Sequence, residues 1–415
     1  MRFQTVTKIL AACILLPAML CSCEQGSKVN DDGSISITRN GKTKFSIVES
    51  QADPASIGES LAAAFKDLTG AEVSVANDNS KSRKYEIVIG ETGRKESGEA
   101  RSKIGGNGYT IEMNGTKIAI AGSNSTWTSL ALKEFETKVL KNPLYNKDGN
   151  ITLPGDFSIV QDYDDPQLIA RLVKSGVDFS LNPTLVMNCP GDEGIGVAQG
   201  AASDGKHFYF LNRSRDDGMS VVYKYDMKSL FLVGKSKVFN CGHANDATFD
   251  FSKNRFIAAH GHSEGKIITP LDAETLEVQP NIDIPVGSGA ITYNKSKESY
   301  AISQGGRTLY IADKDFNVLS SYTRTDNSVY LAQGMGSDDY YIYFPMSPLN
   351  GKTDNVLVTY DWNGNYITDL HIPMDLESES MFYSDGNYYV NFYLGKQTGA
   401  GLYRIDPEYN YKYTK

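Results

Sequence analysis

The strongest constraint on this chain is one phrase said five times. The copies are Gln199 to Asp204, Cys241 to Asp250, Ser288 to Asn294, Gln333 to Asp338 and Glu379 to Asp385. Their aligned ends are Asp204, Asp250, Asn294, Asp338 and Asp385, so the steps are 46, 44, 44 and 47 residues. Each copy precedes a short aromatic run, such as Tyr340 to Phe344 or Tyr388 to Phe392. A further run then closes on an acid: Asp226, Asp272, Asp313, Asp361 or Asp406.

A period in the mid-forties, with several β-rich runs per unit, is the pattern of propeller blades. A single blade leaves both faces of its sheet exposed; a ring of five buries them. The expected fold is therefore an α+β N-terminal domain followed by an all-β five-bladed β-propeller over 183–415. The apolar run Thr184 to Met187 precedes the first repeat and is expected to close the ring by pairing with the last blade. The acid that ends each third run stands before a turn, where it can accept backbone N–H groups. That makes it structural rather than catalytic.

The chain has 415 residues, enough for two domains. Of its 25 tyrosines, 21 follow residue 190, as a β-rich second half requires. Arg2 and Lys8 precede an apolar run from Ile9 to Leu20 that is too short to span a bilayer. Leu20, Ser22 and Cys23 resemble a bacterial lipobox. That implies a signal peptide over 1–22, lipidation of Cys23 and a membrane partner reached through the lipid anchor. The expected location is the envelope of a Gram-negative, Bacteroidetes-like cell, on the periplasmic or surface side of the outer membrane. The remaining chain carries 39 basic and 50 acidic residues, a net charge near −11, which argues against a nucleic-acid partner. Cys189 and Cys241 stand at equivalent places in neighbouring repeats, too far apart for the bridge that the exported compartment would permit.

Residues 23–34 read as a polar tether and 35–157 as a compact α+β unit. In that unit Ser56 and Glu59 form a capping box. Ile57, Leu61, Phe65 and Leu68 give the helix an apolar stripe, and Gly70 ends it. Tyr85 to Ile89 reads as a central strand, Asn114-Gly115 as a hairpin turn, and Trp127 to Leu140 as a second helix. Residues 158–182 form a connector with a short helix near Pro166–Lys174. The run Ile87 to Thr92, the Gly108–Ala121 hairpin and the Trp127–Leu140 helix resemble the small accessory domain that precedes the barrel of family 20 glycoside hydrolases and α-glucuronidases. No such barrel follows, so their activity does not transfer with the domain. The repeat half resembles the propellers of teichoic-acid-linked and phage receptor-binding proteins.

In a propeller the loops from each outer strand to the next inner strand share a face with those joining second and third strands. The first group holds Gln199, His243, Asn245, Ser288, Gln333 and Glu379, with Tyr330 beside them. The second holds Arg213, Arg215, His260, His262, Gln304, Arg307, Lys352 and Lys396. Three of the five histidines thus fall in one repeat on one face. Asymmetry of this kind is where function is grafted on a repeat fold. The candidate ligand-binding set is Gln199, Arg213, His243, Asn245, His260, Arg307, Tyr330, Gln333 and Glu379. Amides beside a tyrosine suit sugar hydroxyls, and the basic groups suit a uronate or phosphate. The same amides also suit a purely structural role, satisfying backbone groups of a watery channel.

The favoured reading is a glycan or glycoconjugate as partner, without catalysis. The alternatives are a polysaccharide hydrolase or lyase using His243 with Arg213 or Arg307, and a non-catalytic envelope scaffold. No cofactor motif and no metal-binding spacing is present.

Overall fold

The computed structural model describes residues 27–50, 57–192, 194–215, 217–261, 265–304, 307–326, 330–348, 354–395 and 399–415. The signal peptide, Cys23, Ser56, His262, Lys352 and Lys396 lie outside the described residues.

The first half is built on a six-stranded sheet. Its order is Ser158–Asp162, Gly108–Asn114, Lys117–Gly122, Glu86–Ile89, Ser46–Glu49 and Ser74–Asn77. Glu86–Ile89 lies parallel between Lys117–Gly122 and Ser46–Glu49 and is buried at every residue, which suits its run of apolar side chains. The Gly108–Asn114 and Lys117–Gly122 strands meet at Gly115, whose φ of 59° the turn requires. Helix α1, Ile57–Thr69, buries Ile57, Leu61 and Phe65, and Leu68 is partly buried. Its start is tied by the Glu49 carboxylate, which accepts the Gly58 N–H at 2.9 Å. A Cβ on Gly58 would lie 2.8 Å from that oxygen, so the helix begins with a residue that has none. Helix α2, Lys95–Arg101, buries only Ser97 and Ala100.

Helix α3, Ser125–Phe135, is capped by Asn124, which accepts the Trp127 N–H at 3.0 Å, and Glu136–Leu140 continues it as a π-helical turn. Trp127, Ala131, Phe135 and Val139 are buried together. The connector contributes an edge strand, Ser158–Asp162, and helix α4, Leu168–Lys174. Part of the stretch read as a tether is built into the fold. Ser27 is fully buried, and Lys28–Val29 pair with Ser36 and Ile35.

The second half is β-propeller-like. Among the described residues five antiparallel sheets follow one another, each of four main strands. Their innermost strands are Val197–Ser203, Asp246–Asp250, Ala290–Asn294, Gly336–Ser337 and Glu377–Ser384. Each touches the next, and the last touches the first. The last sheet takes its outer strand from before the repeats, where Ser180–Cys189 pairs with Ala400–Glu408 in nine register pairs. Thr184 to Met187 therefore pair with the final repeat, within a strand that starts three residues before 183.

The turn acids follow one chemistry. Asp226, Asp272, Asp313 and Asp361 each accept two backbone N–H groups of the turn that follows. The acids at the ends of the repeated phrase do more. Asp204 accepts the Tyr209 hydroxyl at 2.8 Å, Asp338 accepts the Tyr343 hydroxyl at 2.7 Å, and Asp250 accepts Arg255 Nε at 2.9 Å. In all three the donor stands five residues on, so it pins the second strand to the turn that starts it.

The sheets end at Glu408, and the last residues leave them. Tyr409 and Tyr411 are buried in the core of the first half, where the Tyr411 hydroxyl donates to Glu136 at 2.8 Å. The chain's final turn thus binds the two halves together.

Candidate functional site

The site begins with two irregularities in register. Pairing slips between Ala198 and Ala201 on the first sheet and between Ser378 and Ser380 on the fifth. The residues that the slips set apart are Gln199 and Glu379. A β-bulge re-aims a side chain that regular pleating would bury against a neighbour. Here it brings the two groups together across adjacent sheets: Gln199 Nε2 donates to Glu379 Oε2 at 3.5 Å. Asn391 Nδ2 donates to the Gln199 carbonyl at 2.9 Å and completes the join.

Around this pair lies a set of buried polar atoms with no hydrogen-bond partner. They include Gln199 Oε1, both amide atoms of Asn212, Arg213 Nε, Ser380 Oγ, Asn391 Oδ1 and the Tyr393 hydroxyl. Native interiors satisfy nearly all such atoms, by protein or by water. A group of them at one end of two adjacent sheets marks a place where outside polar groups are needed. Glu379 is 2% exposed. Burial, then the nearby Glu377 charge, pushes its carboxyl well above the ordinary range, against the pull of Arg213. Asp246 is fully buried on the neighbouring inner strand and is also pushed up by burial, although its Oδ2 accepts the Ile291 and Met335 N–H groups at 2.8 and 3.0 Å.

Of the residues singled out from sequence, Gln199, Arg213, Gln333 and Glu379 are brought together. Gln333 Nε2 donates to Glu377 Oε1 at 2.9 Å, and its carbonyl accepts from Asn245. Asn245 itself is turned to architecture. Its amide donates to the carbonyls of Gly289 and Gln333 and stitches three sheets at the axis. His260 is likewise committed inward. It is 4% exposed, with Nε2 2.7 Å from Thr269 Oγ1. The Thr269 hydroxyl donates to Asn281, so His260 Nε2 carries the proton. These two residues fit the structural reading of the polar ring.

His243 is half-buried between Gly242 and Ala244, whose φ values are 56° and 51°. Its N–H donates to the His260 carbonyl at 3.0 Å. A Cβ on Gly261 would lie 2.8 Å from that of His243, so the two loops meet only because Gly261 has none. Arg307 is exposed and Tyr330 half-buried against the fourth sheet, and among the described residues neither forms a hydrogen bond or ion pair with Glu379. Cys189 and Cys241 are buried and unbridged, and burial pushes the Cys189 thiol up to about 12.

Asn212, Asp246, Ser380, Asn391 and Tyr393 were not singled out from sequence. A usable signal was present for two of them, since Asn212 and Asn391 interrupt otherwise apolar second strands. Among the described residues no group of three His, Cys, Asp or Glu is arranged to hold a metal ion.

Cavities open elsewhere among the described residues, and two of them border the repeat half. One, of about 470 Å³, lies at the turns that hold Asp204, Asn294, Asp338 and Asp385 and is bordered by Asp165 and Gln167 of the connector. Its acids are largely spoken for: Asp338 by Tyr343 and Tyr388, Asp339 by Gln167, and Asp204 by His207 and Tyr209. The other, of about 670 Å³, lies between the two halves, beside Lys133, His371 and Lys412.

No family model matches the sequence, and no curated protein matches it. Solved structures do. A Myxococcus xanthus glutaminyl cyclase is 9% identical over 56% of this chain and 99% of that one, with a TM-score of 0.41. The tail fiber of Staphylococcus aureus phage P68 is 14% identical over 54% of this chain and 52% of that one, at 0.44. A Myceliophteria thermophila Cps50 (Swd1) β-propeller domain is 10% identical over 54% of this chain and all of that one, at 0.31. Likeness at this level carries no function across.

Proposed function

We propose that this chain is a cell-envelope lipoprotein. Its five sheets form a closed five-bladed propeller that binds a glycan or glycoconjugate at the mouth held by Gln199, Arg213, Gln333 and Glu379. The observation that carries the reading is the group of buried, unpartnered amide, hydroxyl and guanidinium atoms around Gln199 and Glu379. Sugar hydroxyls supply donors and acceptors in the density such a group lacks. Residues 35–157 take the part of an accessory α+β domain of the family 20 type and position the propeller. The test is a glycan array on the purified chain, followed by a turnover assay on every hit. Replacing His243 and Gln333 by Ala together should weaken binding by about 1–3 kcal/mol, the usual cost of an unmet buried polar partner, and spare folding. Lost stability with unchanged affinity would instead assign both residues to architecture.

A second reading has one observation behind it. Two buried carboxyls, Glu379 and Asp246, are held towards the protonated form at the axis, as an acid catalyst requires. A polysaccharide hydrolase or lyase built on this chain would therefore draw on Glu379 with Arg213. Product formation on array hits by the wild-type chain, abolished in Glu379→Ala, would replace the binding reading with this one.

Anchoring rests on the Leu20 to Cys23 run alone. Among the described residues no helix is long and apolar enough to cross a membrane. Cys23→Ser should release the protein from the membrane fraction, whereas Cys21→Ser should not; retention of the Cys23 variant would refute the anchor.

A further inference from the structure

Arg213 ends the second strand of the first sheet, and its guanidinium is only half used. Nη1 donates to the carbonyls of Ser214 and Arg215 at 3.1 and 3.4 Å. Nε is buried without a partner. Among the described residues Arg213 forms no ion pair. Glu379 and the Tyr393 hydroxyl act on it electrostatically. Neither is joined to it by a hydrogen bond or ion pair among the described residues. A partly buried guanidinium without a counter-charge is costly and is kept where an anion arrives. The free Nε–Nη2 edge is a planar fork that matches a carboxylate with two parallel hydrogen bonds. Glu379 is a poor partner for it, because burial, then the Glu377 carboxylate, pushes its carboxyl well above the ordinary range, towards the form that donates. In that form Glu379 is a donor.

Resting on the glycan-binding reading above, we propose that this mouth selects acidic sugars. The carboxylate of a uronic acid residue sits on the Nε–Nη2 edge of Arg213, and one of its oxygens accepts the proton of Glu379. Gln199 Oε1 and the Tyr393 hydroxyl are left for the ring hydroxyls. A phosphate is the poorer fit. A dianion would face the Glu377 carboxylate, whereas a planar monoanion matches the guanidinium fork and can share the proton of Glu379. The groups that set the charge state of Glu379 are Glu377, Arg213 and Asp246. Because the folded pKa of Glu379 is raised, affinity should fall as pH rises through that value, and it should also fall in acid where the sugar's own carboxylate is protonated.

The experiment is titration calorimetry of the full chain with galacturonate, glucuronate and guluronate oligosaccharides. Each is run beside its methyl ester, and mannose 6-phosphate serves as the phosphate probe. At least one acid should bind about tenfold or more tighter than its ester. Arg213→Lys, which keeps the charge and loses the fork, should remove most of that preference, and a melting midpoint equal to that of the wild type shows that the fold is intact. Glu379→Gln, which keeps a donor and cannot titrate, should abolish the decline of acid binding with rising pH. Equal binding of acid and ester throughout the panel, tighter binding of the phosphate, or an acid preference that survives Arg213→Lys would overturn the proposal. Array hits confined to neutral glycans would overturn it too, while leaving the glycan-binding reading in place; an empty array would remove both.

Discussion

Replacing Ser180–Cys189 by a Gly/Ser segment of equal length is expected to unfold the propeller half or leave it barely stable. This strand is the outer member of the fifth sheet and the point where the two ends of the repeat region meet. It buries Leu181, Met187 and Cys189. Burying an apolar side chain of the larger kind is worth about 1.5–3 kcal/mol. The exposed edge of Ala400–Glu408 adds an unpaired ladder and an aggregation risk. Together these approach the 5–15 kcal/mol or so by which domains are stable at all. Circular dichroism should show a melting midpoint lowered by more than about 10 °C, or insoluble protein. An unchanged midpoint would mean that the sheets hold without this closure.

Asp338→Ala should be the most damaging single substitution in the chain. One carboxylate accepts the N–H groups of Tyr340 and Tyr341, both at 2.8 Å, and the hydroxyls of Tyr343 and Tyr388, at 2.7 and 2.5 Å. Tyr343 and Tyr388 belong to neighbouring sheets, so the loss is felt in both. Each buried donor left unmet costs about 1–3 kcal/mol, and an expected total of about 3–6 kcal/mol follows. Urea unfolding measures it, and a change below about 1 kcal/mol would contradict the role given to this acid.

The pH dependence has a definite sign. Burial outweighs these hydrogen bonds and holds Asp338 above its ordinary value of 3.8. Folding therefore favours its protonated form, and its contribution declines as pH rises from the ordinary value through the raised one. Asp204 goes the other way. Burial opposes its ionisation, but hydrogen bonds from His207, Lys206 and Tyr209 outweigh that and hold it low, so its contribution is lost on acidification.

The repeat made the propeller half legible because each sheet repeats the same turn chemistry at a fixed spacing. Phase alone identified Asp226, Asp272, Asp313 and Asp361 as turn acids, but it misread Asp406, which lies inside the Ala400–Glu408 strand and accepts Arg404 Nε at 2.7 Å. The first half was harder. Helix α2 has no apolar stripe to find, since Ser97 and Ala100 are all it buries. Ser46–Glu49 is only four residues long. The return of Tyr409 and Tyr411 to the first core depends on distance through the fold, which spacing does not encode. Repeat alignment placed Gln199 and Glu379 at matching points of their innermost strands, where both strands slip in register. It could not show that both sit on bulges, because a register slip is decided by the partner strand. His260 looked like a ligand because histidine is scarce here. Its bond to Thr269 depends on pairing across the second sheet and was invisible in one dimension.

The central claim is that ligand enters at the mouth where Gln199, Arg213 and Glu379 meet. A crystal structure of the full chain with its best array ligand tests this most directly. The account predicts sugar atoms within hydrogen-bond reach of Gln199 and Arg213. Ligand seated instead at the opposite turns, against Asp204, Asp338 and Asp385, or between the two halves beside Lys133 and His371, would contradict it.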